Sequence, residues 1–172
     1  MIISEKDKTE TKKIGTILSH IDNMDGTIAN KITDEIYQYQ PFLISQMLGY
    51  RLDTQPEQTE DIIKILFLIW EFFKNCNGIR NTKLTKYKFE KMVKKNVNLL
   101  RYLDGESSAA ERRNITSSDL SKLRSKALLA VIFYRFENQK SLLEMDIEAK
   151  GVTLIGMKSL IECFEEIENN HI

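Results

Sequence analysis

The stretch that most constrains the fold is the apolar segment from Pro56 to Gly78. At about 100° per residue, its large apolar side chains cover well over half of a helical circumference. They are Ile62, Ile63, Ile65, Leu66, Ile69, Trp70, Phe72 and Phe73. A surface helix needs only one apolar stripe, so a helix with this much apolar surface needs neighbours on several sides. The segment therefore predicts the central helix of a bundle, over about residues 56–77.

Other segments have the periodicity of helices that could cover it. Apolar residues recur at steps of three and four from Ile28 to Tyr50, which is the pattern of one buried face. Pro41 interrupts this run and must either kink the helix or split it in two. Because the period continues in phase across it, we favour a kink near Gln38–Pro41. Further helices are predicted over Thr9–Met24, Leu84–Leu103, Ser141–Lys150 and Val152–Glu168.

The segment from Gly105 to Ser118 is rich in small and polar residues and predicts a mobile loop at about 105–117. A helix capped by Ser117 or Ser118 is expected to follow it and to run to about Asn138. Its second half, residues 127–136, is apolar nearly all round, so a buried strand is the alternative there. The helical spacing of the leucines just before it favours a helix.

These elements predict an all-α fold, a single-domain bundle of five to seven helices over residues 9–172. Residues 1–8 are expected to form a flexible polar arm. Two prolines and seven glycines in 172 residues leave room for long helices and little for an architecture with many turns. The composition, 42% hydrophobic and 29% charged, is typical of a soluble globular chain and not of a disordered one.

The expected location is the cytoplasm, without membrane insertion. The first residues lack the continuous apolar core of a signal peptide. No run approaches the roughly 18 apolar residues of a membrane span. The two cysteines, Cys76 and Cys163, match no metal-binding spacing and are expected to be free thiols.

Two segments resemble metal-binding motifs, but each lacks ligands that the motif requires. Asn23–Ile28 looks like the middle of a calcium-binding loop, but alignment places Ile21 and Ile32 at two positions that need oxygen ligands. Glu168 and His171 have the Glu-x-x-His spacing of di-iron bundles, yet those sites need a second such pair and two more carboxylates. We therefore expect no metal and no cofactor.

Catalysis is the third hypothesis for function. His20 and His171 are the only histidines, and no nucleotide, hydrolase or metalloprotease fingerprint is present. A carboxylate-dependent enzyme needs no signature, and Glu162 with Glu166 is one pair it could use. On a helix such a pair is usually a solvated face, so the sequence favours a protein that is not an enzyme.

The most informative feature for function is charge segregation. The formal net charge is zero, but residues 74–101 carry nine basic side chains against the single acid Glu90. A set of cations and tyrosines falls opposite the apolar arc of the predicted helix. It comprises Lys88, Lys91, Lys94, Lys95, Arg101, Tyr87 and Tyr102. A basic face with interleaved aromatic groups suits phosphate contacts and base stacking.

Two interpretations of this face remain open. Residues 137–172 carry eight acids against three lysines, so these acidic helices could neutralise the basic helix in the same fold or in a second copy. The first hypothesis for function is therefore a non-catalytic protein–protein interaction or self-associating module, docking through Tyr37–Phe42 or the far side of the last helix. The alternative is binding of RNA or DNA by the basic helix over residues 83–101.

Overall fold

A computed structural model describes residues 5–171, with side chains from Lys8 onward. This part of the chain forms nine helices and contains no strand. The helices are α1 (Glu5–Asp22), α2 (Gly26–Tyr39), α3 (Pro41–Asp53), α4 (Pro56–Phe73), α5 (Lys86–Gly105), α6 (Ala109–Lys122), α7 (Lys126–Asn138), α8 (Lys140–Leu143) and α9 (Ile147–Asn169). The prediction of an all-α bundle is confirmed, but the nine helices of residues 5–171 exceed the predicted five to seven.

Helix α4 is buried on several sides. Eleven of its eighteen residues are buried, and it packs against α1, α3, α8 and α9. Trp70 is fully buried and stacks on Tyr39 of α2 with 6.3 Å between the ring centroids. The ring of Phe73 packs against that of Phe164 of α9, with 5.4 Å between the ring centroids. The helix ends at Phe73, four residues before the predicted end, and a turn with Gly78 at φ 77° follows.

The predicted kink at Pro41 is a complete break between α2 and α3. Gln40 has φ −136° and ψ 62°, which lie outside the helical region. Pro41 has no N–H to continue the hydrogen bonds of α2, but it fits the first turn of α3. The continuous apolar period therefore reflects two helices that share one buried face.

The side chain of Gln40 is fully buried and closes the turn between α4 and α5. Its amide nitrogen donates to the carbonyl oxygens of Ile79 at 2.5 Å and Thr82 at 2.8 Å. Its amide oxygen accepts from the backbone N–H of Leu84 at 2.8 Å. Buried backbone groups outside regular elements need such partners. One glutamine thus satisfies three of them in the turn that leads into α5.

The prediction of a loop over residues 105–117 is wrong from Ala109 onward, where α6 begins. The Ser108 hydroxyl accepts from the backbone N–H of Glu111 at 3.2 Å and caps the helix. Two alanines and a glutamate in the first turn are good helix formers. No residue of α6 is buried, so the helix shows no apolar stripe that would mark it in the sequence.

The prediction of a single helix from Ser117 or Ser118 to Asn138 is also wrong, because residues 123–125 are not helical and separate α6 from α7. Leu123 and Ser125 are buried there. The Glu165 carboxylate of α9 accepts from the backbone N–H of Ser125 at 2.7 Å, just before α7 begins. Residues 127–136 lie in α7, so the alternative of a buried strand does not apply.

Smaller differences concern the helix ends. Helix α1 begins at Glu5, four residues before the predicted start, and residues 1–4 of the predicted arm lie outside the described residues. Helix α9 begins at Ile147, five residues before the predicted start, because Asp146 caps it by accepting from the N–H groups of Glu148 and Ala149. Within residues 5–171 no helix is long and apolar enough to cross a membrane.

Replacing Gln40 with glutamate tests its role in the turn. The carboxylate still accepts from Leu84, but it cannot donate to Ile79 and Thr82 and brings a charge against their carbonyl oxygens. We expect the free energy of unfolding at pH 7 to fall by about 3 kcal/mol or more. Urea titration with tryptophan fluorescence measures it. The exposed neighbour change Gln38→Glu should cost less than about 0.5 kcal/mol; equal stability of the two variants would contradict the assignment.

Candidate nucleic-acid interface

Helix α5 carries the predicted basic face. The Thr85 hydroxyl accepts from the backbone N–H of Lys88 at 3.3 Å and caps the helix, which then runs for twenty residues. Phe89, Met92 and Asn96 are its buried side chains. They lie three and four positions apart, so they define one inward face, which packs against α9.

A polar network with α9 sets the rotation of α5 about its own axis. The Asn96 amide nitrogen donates to Ser159 Oγ at 2.9 Å and to Glu162 Oε2 at 2.6 Å. Lys158 Nζ donates to Asn96 Oδ1 at 2.7 Å. Asn96 and Ser159 are buried, so these bonds lie within the packed interface. Residues about 180° from Asn96 must therefore face away from the bundle.

A row of polar side chains occupies that outward face. Tyr87, Lys91, Lys94, Asn98 and Arg101 are exposed and lie between about 140° and 220° from Asn96 at 100° per residue. Tyr102 is exposed at the edge of the row. We call these six outward residues the basic stripe. Among residues 8–171, no acidic side chain pairs with its three cations.

Lys88 and Lys95 lie on the flank of α5, about 80–100° from Asn96. Lys95 Nζ is 3.2 Å from Glu162 Oε1, although 58% of the Lys95 side chain stays exposed. Lys88 is exposed and forms no ion pair within residues 8–171. Within one chain, neutralisation by the acidic C-terminal helix therefore applies to Lys95 and does not reach the basic stripe, and neutralisation by a second copy stays a prediction.

Three acidic residues of α9 are engaged elsewhere in the fold. Glu162 also meets Lys158 at 3.0 Å. Glu165 holds the start of α7, and Glu168 pairs with Arg124 at 2.7 Å. On α5 itself, Glu90 lies 3.6 Å from Lys86. The positive charge of the basic stripe is thus left without a counter-charge from these acids.

Comparisons of the chain with protein-family models, with curated proteins and with solved structures find no match. The function must therefore be inferred from the residues of the chain itself, starting with the groups that could perform catalysis.

The thiols are poor candidates for catalysis. Burial raises the pKa of Cys163 to about 12, and the negative charges of Glu166 and Glu162 add to this. Burial and the charge of Glu168 also raise the pKa of Cys76. Since the thiolate is the nucleophile, a raised pKa disfavours the reactive form of both cysteines near neutral pH.

The histidines are separated from each other. His20 is exposed on α1, whereas His171 Nε2 lies 2.8 Å from Thr82 Oγ1 beside the turn before α5. Glu168, the partner of His171 in the sequence motif, is paired with Arg124. Within the described residues, no three His, Cys, Asp or Glu side chains form a group that could hold a metal ion.

One of the two surfaces predicted for protein docking, Tyr37–Phe42, is only partly exposed. Tyr39 stacks on Trp70, Gln40 is fully buried, and Phe42 meets the Phe89 ring at 5.2 Å. Tyr37 remains exposed. Tyr37 is therefore the main aromatic group that this region leaves exposed for a partner.

An ion-pair cluster joins α2 to the end of α4, just before the turn that leads into α5. The sequence pattern gives no sign of it. Lys74 Nζ lies 3.0 Å from Glu35 and 2.8 Å from Glu71, and the Trp70 indole donates to Glu35 at 3.3 Å. Burial disfavours the Glu35 carboxylate, but the hydrogen bonds and the charge of Lys74 outweigh burial and lower the pKa of Glu35. Burial disfavours the charged Lys74, but its hydrogen bonds with Glu71 and Glu35 and their charges outweigh burial and raise the pKa of Lys74. Arg80, in the following turn, donates to the Lys74 carbonyl oxygen at 3.0 Å.

The lowered pKa of Glu35 predicts a pH-dependent contribution to stability. A group whose pKa is lower in the folded state stabilises above its unfolded pKa and loses this effect as the pH falls. At pH 7, Glu35→Gln should lower the free energy of unfolding by about 1–2 kcal/mol. The difference from wild type should shrink as the pH falls below the ordinary value of 4.5. Urea titrations at several pH values measure it, with the exposed neighbour change Asp34→Asn as control; a constant difference would contradict the role of charge.

Proposed function

We propose that this protein is a non-catalytic nucleic-acid-binding protein that holds single-stranded RNA or DNA along the basic stripe of α5. The observation that carries the proposal is the row of three cations, none of them in an ion pair within residues 8–171, between two exposed tyrosines. Cations neutralise phosphates without regard to sequence, and aromatic rings stack on bases. Because stacking needs bases that are free of a partner strand, a single strand fits better than a duplex.

The dimensions of the basic stripe support this proposal. Tyr87 and Tyr102 are fifteen positions apart, or about 22 Å along the helix axis at 1.5 Å per residue. Lys91, Lys94 and Arg101 lie between them, where a phosphate backbone would run. Asn98 adds an exposed amide that can donate and accept hydrogen bonds at a base edge. Such a surface gives a short, sequence-tolerant site.

The net charge of zero is consistent with a local site of this kind. No overall field attracts nucleic acid, so affinity has to come from the charges within a Debye length of the stripe, about 8–10 Å. Protein–protein docking or self-association, the first hypothesis from the sequence, stays a prediction. An enzyme without a recognisable motif stays the third.

Reversing two charges of the basic stripe tests the proposal. Lys91→Glu with Lys94→Glu should weaken binding of a mixed-sequence single strand about tenfold or more at low salt. The slope of log affinity against log salt concentration should become less negative by at least about 1.4, because each lost phosphate contact changes this slope by about 0.7. Fluorescence anisotropy of a labelled oligonucleotide measures both.

The control is Lys8→Glu with Lys12→Glu, which makes the same change in net charge on exposed residues of α1. It should bind like wild type, and both variants should unfold at the wild-type urea midpoint. Absence of binding by the wild type at low salt would refute the proposal, as would an equal loss in the control. Tighter binding of duplex than of single strand would refute the choice of a single strand.

A further inference from the structure

A second group of cations lines an open cleft between α6 and the start of α7. The cleft has a volume of about 530 Å³ and holds Arg112, Arg113 and Lys126. Hydroxyl groups of Thr116, Ser117 and Ser121 complete its polar lining. Helix α6 follows α5 after a connection of three residues, so the cleft lies on the element that comes directly after the basic stripe in the chain.

The three cations of this cleft have no acidic partner among residues 8–171. Asp119 of α6 is engaged with Lys158 of α9 at 3.1 Å, and both side chains are largely buried. Glu111 lies about 160° around the helix from Arg113 at 100° per residue, on the opposite side of α6. The cleft therefore carries a net positive charge that the described chain does not neutralise.

The chemistry of the lining suits a phosphodiester. Two adjacent guanidinium groups can bind phosphate oxygens through paired hydrogen bonds, and Ser117 is free to donate another. The hydroxyls of Thr116 and Ser121 donate to backbone carbonyl oxygens at 2.9 and 2.7 Å, so they have no proton left for a phosphate, and the two arginines and Ser117 are the donors. Leu120 is 39% exposed in the same cleft and offers an apolar contact for a sugar or base.

The weak attachment of α6 points the same way. It buries no residue, and the Asp119–Lys158 ion pair and its N-terminal cap are its main polar anchors. Helices without a buried face are marginal in water. Elements of low local stability are those that ligands can order. A phosphate bound between α6 and α7 would fix this helix in place.

We infer that the cleft of Arg112, Arg113 and Lys126 is a second phosphate-binding site, which takes the backbone of the same single strand beyond the basic stripe. This inference rests on the proposed function of α5. The contacts available are to phosphate and sugar, so the site lengthens the footprint and adds affinity without adding sequence preference.

An oligonucleotide length series with a neutralised cleft tests the inference. Arg112→Gln with Arg113→Gln should bind a strand of about six nucleotides like wild type, since the basic stripe alone can hold it. For a strand of about 20 nucleotides, affinity should fall several-fold and the salt slope should flatten by about 1.4. The control is Lys122→Glu, on the opposite face of α6, which changes the net charge by the same two units and should leave both strands bound as in wild type.

Hydrogen exchange of the wild-type protein provides a readout that needs no variant. The amides of α6 should gain protection with the long strand and not with the short one. If the double variant bound the long strand with the affinity and salt slope of the wild type, the second site alone would be overturned. Unchanged hydrogen exchange of the α6 amides on binding the long strand would have the same consequence. An equal loss in the Lys122→Glu control would overturn the second site too. A wild-type protein that binds neither strand would refute the proposed function and this site with it.

Discussion

The placement of the basic stripe depends first on three hydrogen bonds made by one buried side chain, that of Gln40. They reach the backbone of Ile79, Thr82 and Leu84, so they connect the α2–α3 break to the turn before α5. A buried backbone group without a partner costs about 1–3 kcal/mol, so loss of this side chain would destabilise the turn at several points. The direction in which α5 leaves the bundle follows from this contact.

A second constraint fixes how α5 is rotated. Its contact with α9 includes a buried polar residue, Asn96. The side-chain amide of Asn96 forms hydrogen bonds with Ser159, Glu162 and Lys158. Hydrogen bonds are directional, so this contact specifies one rotation more narrowly than apolar packing alone would. The same acid, Glu162, also takes up the charge of Lys95. The rotation of α5 thus determines both the buried hydrogen bonds of Asn96 and the exposure of the cations of the basic stripe.

The sequence predicted well those elements that bury a face. The apolar residues of α4 and α5 recur with helical spacing, and the same wheel placed Lys91, Lys94 and Arg101 outward. Periodicity could not reveal Gln40, because a polar residue within an apolar run gives no sign that its side chain is buried. It also missed α6, which is held by the Ser108 cap and an ion pair and not by burial. The pairing of Lys95 with Glu162 joins residues 67 positions apart and requires the contact between two helices to be known.

The central claim, that nucleic acid lies on the basic stripe, is tested most directly by photochemical cross-linking of a single strand to the protein. Four tyrosines are similarly exposed: Tyr87 at 74% and Tyr102 at 60% on the stripe, and Tyr37 at 71% and Tyr134 at 64% elsewhere. Peptide mass spectrometry then locates the adducts. We expect adducts at Tyr87 and Tyr102 in clear excess. Equal or greater yield at Tyr37 and Tyr134 would contradict the claim.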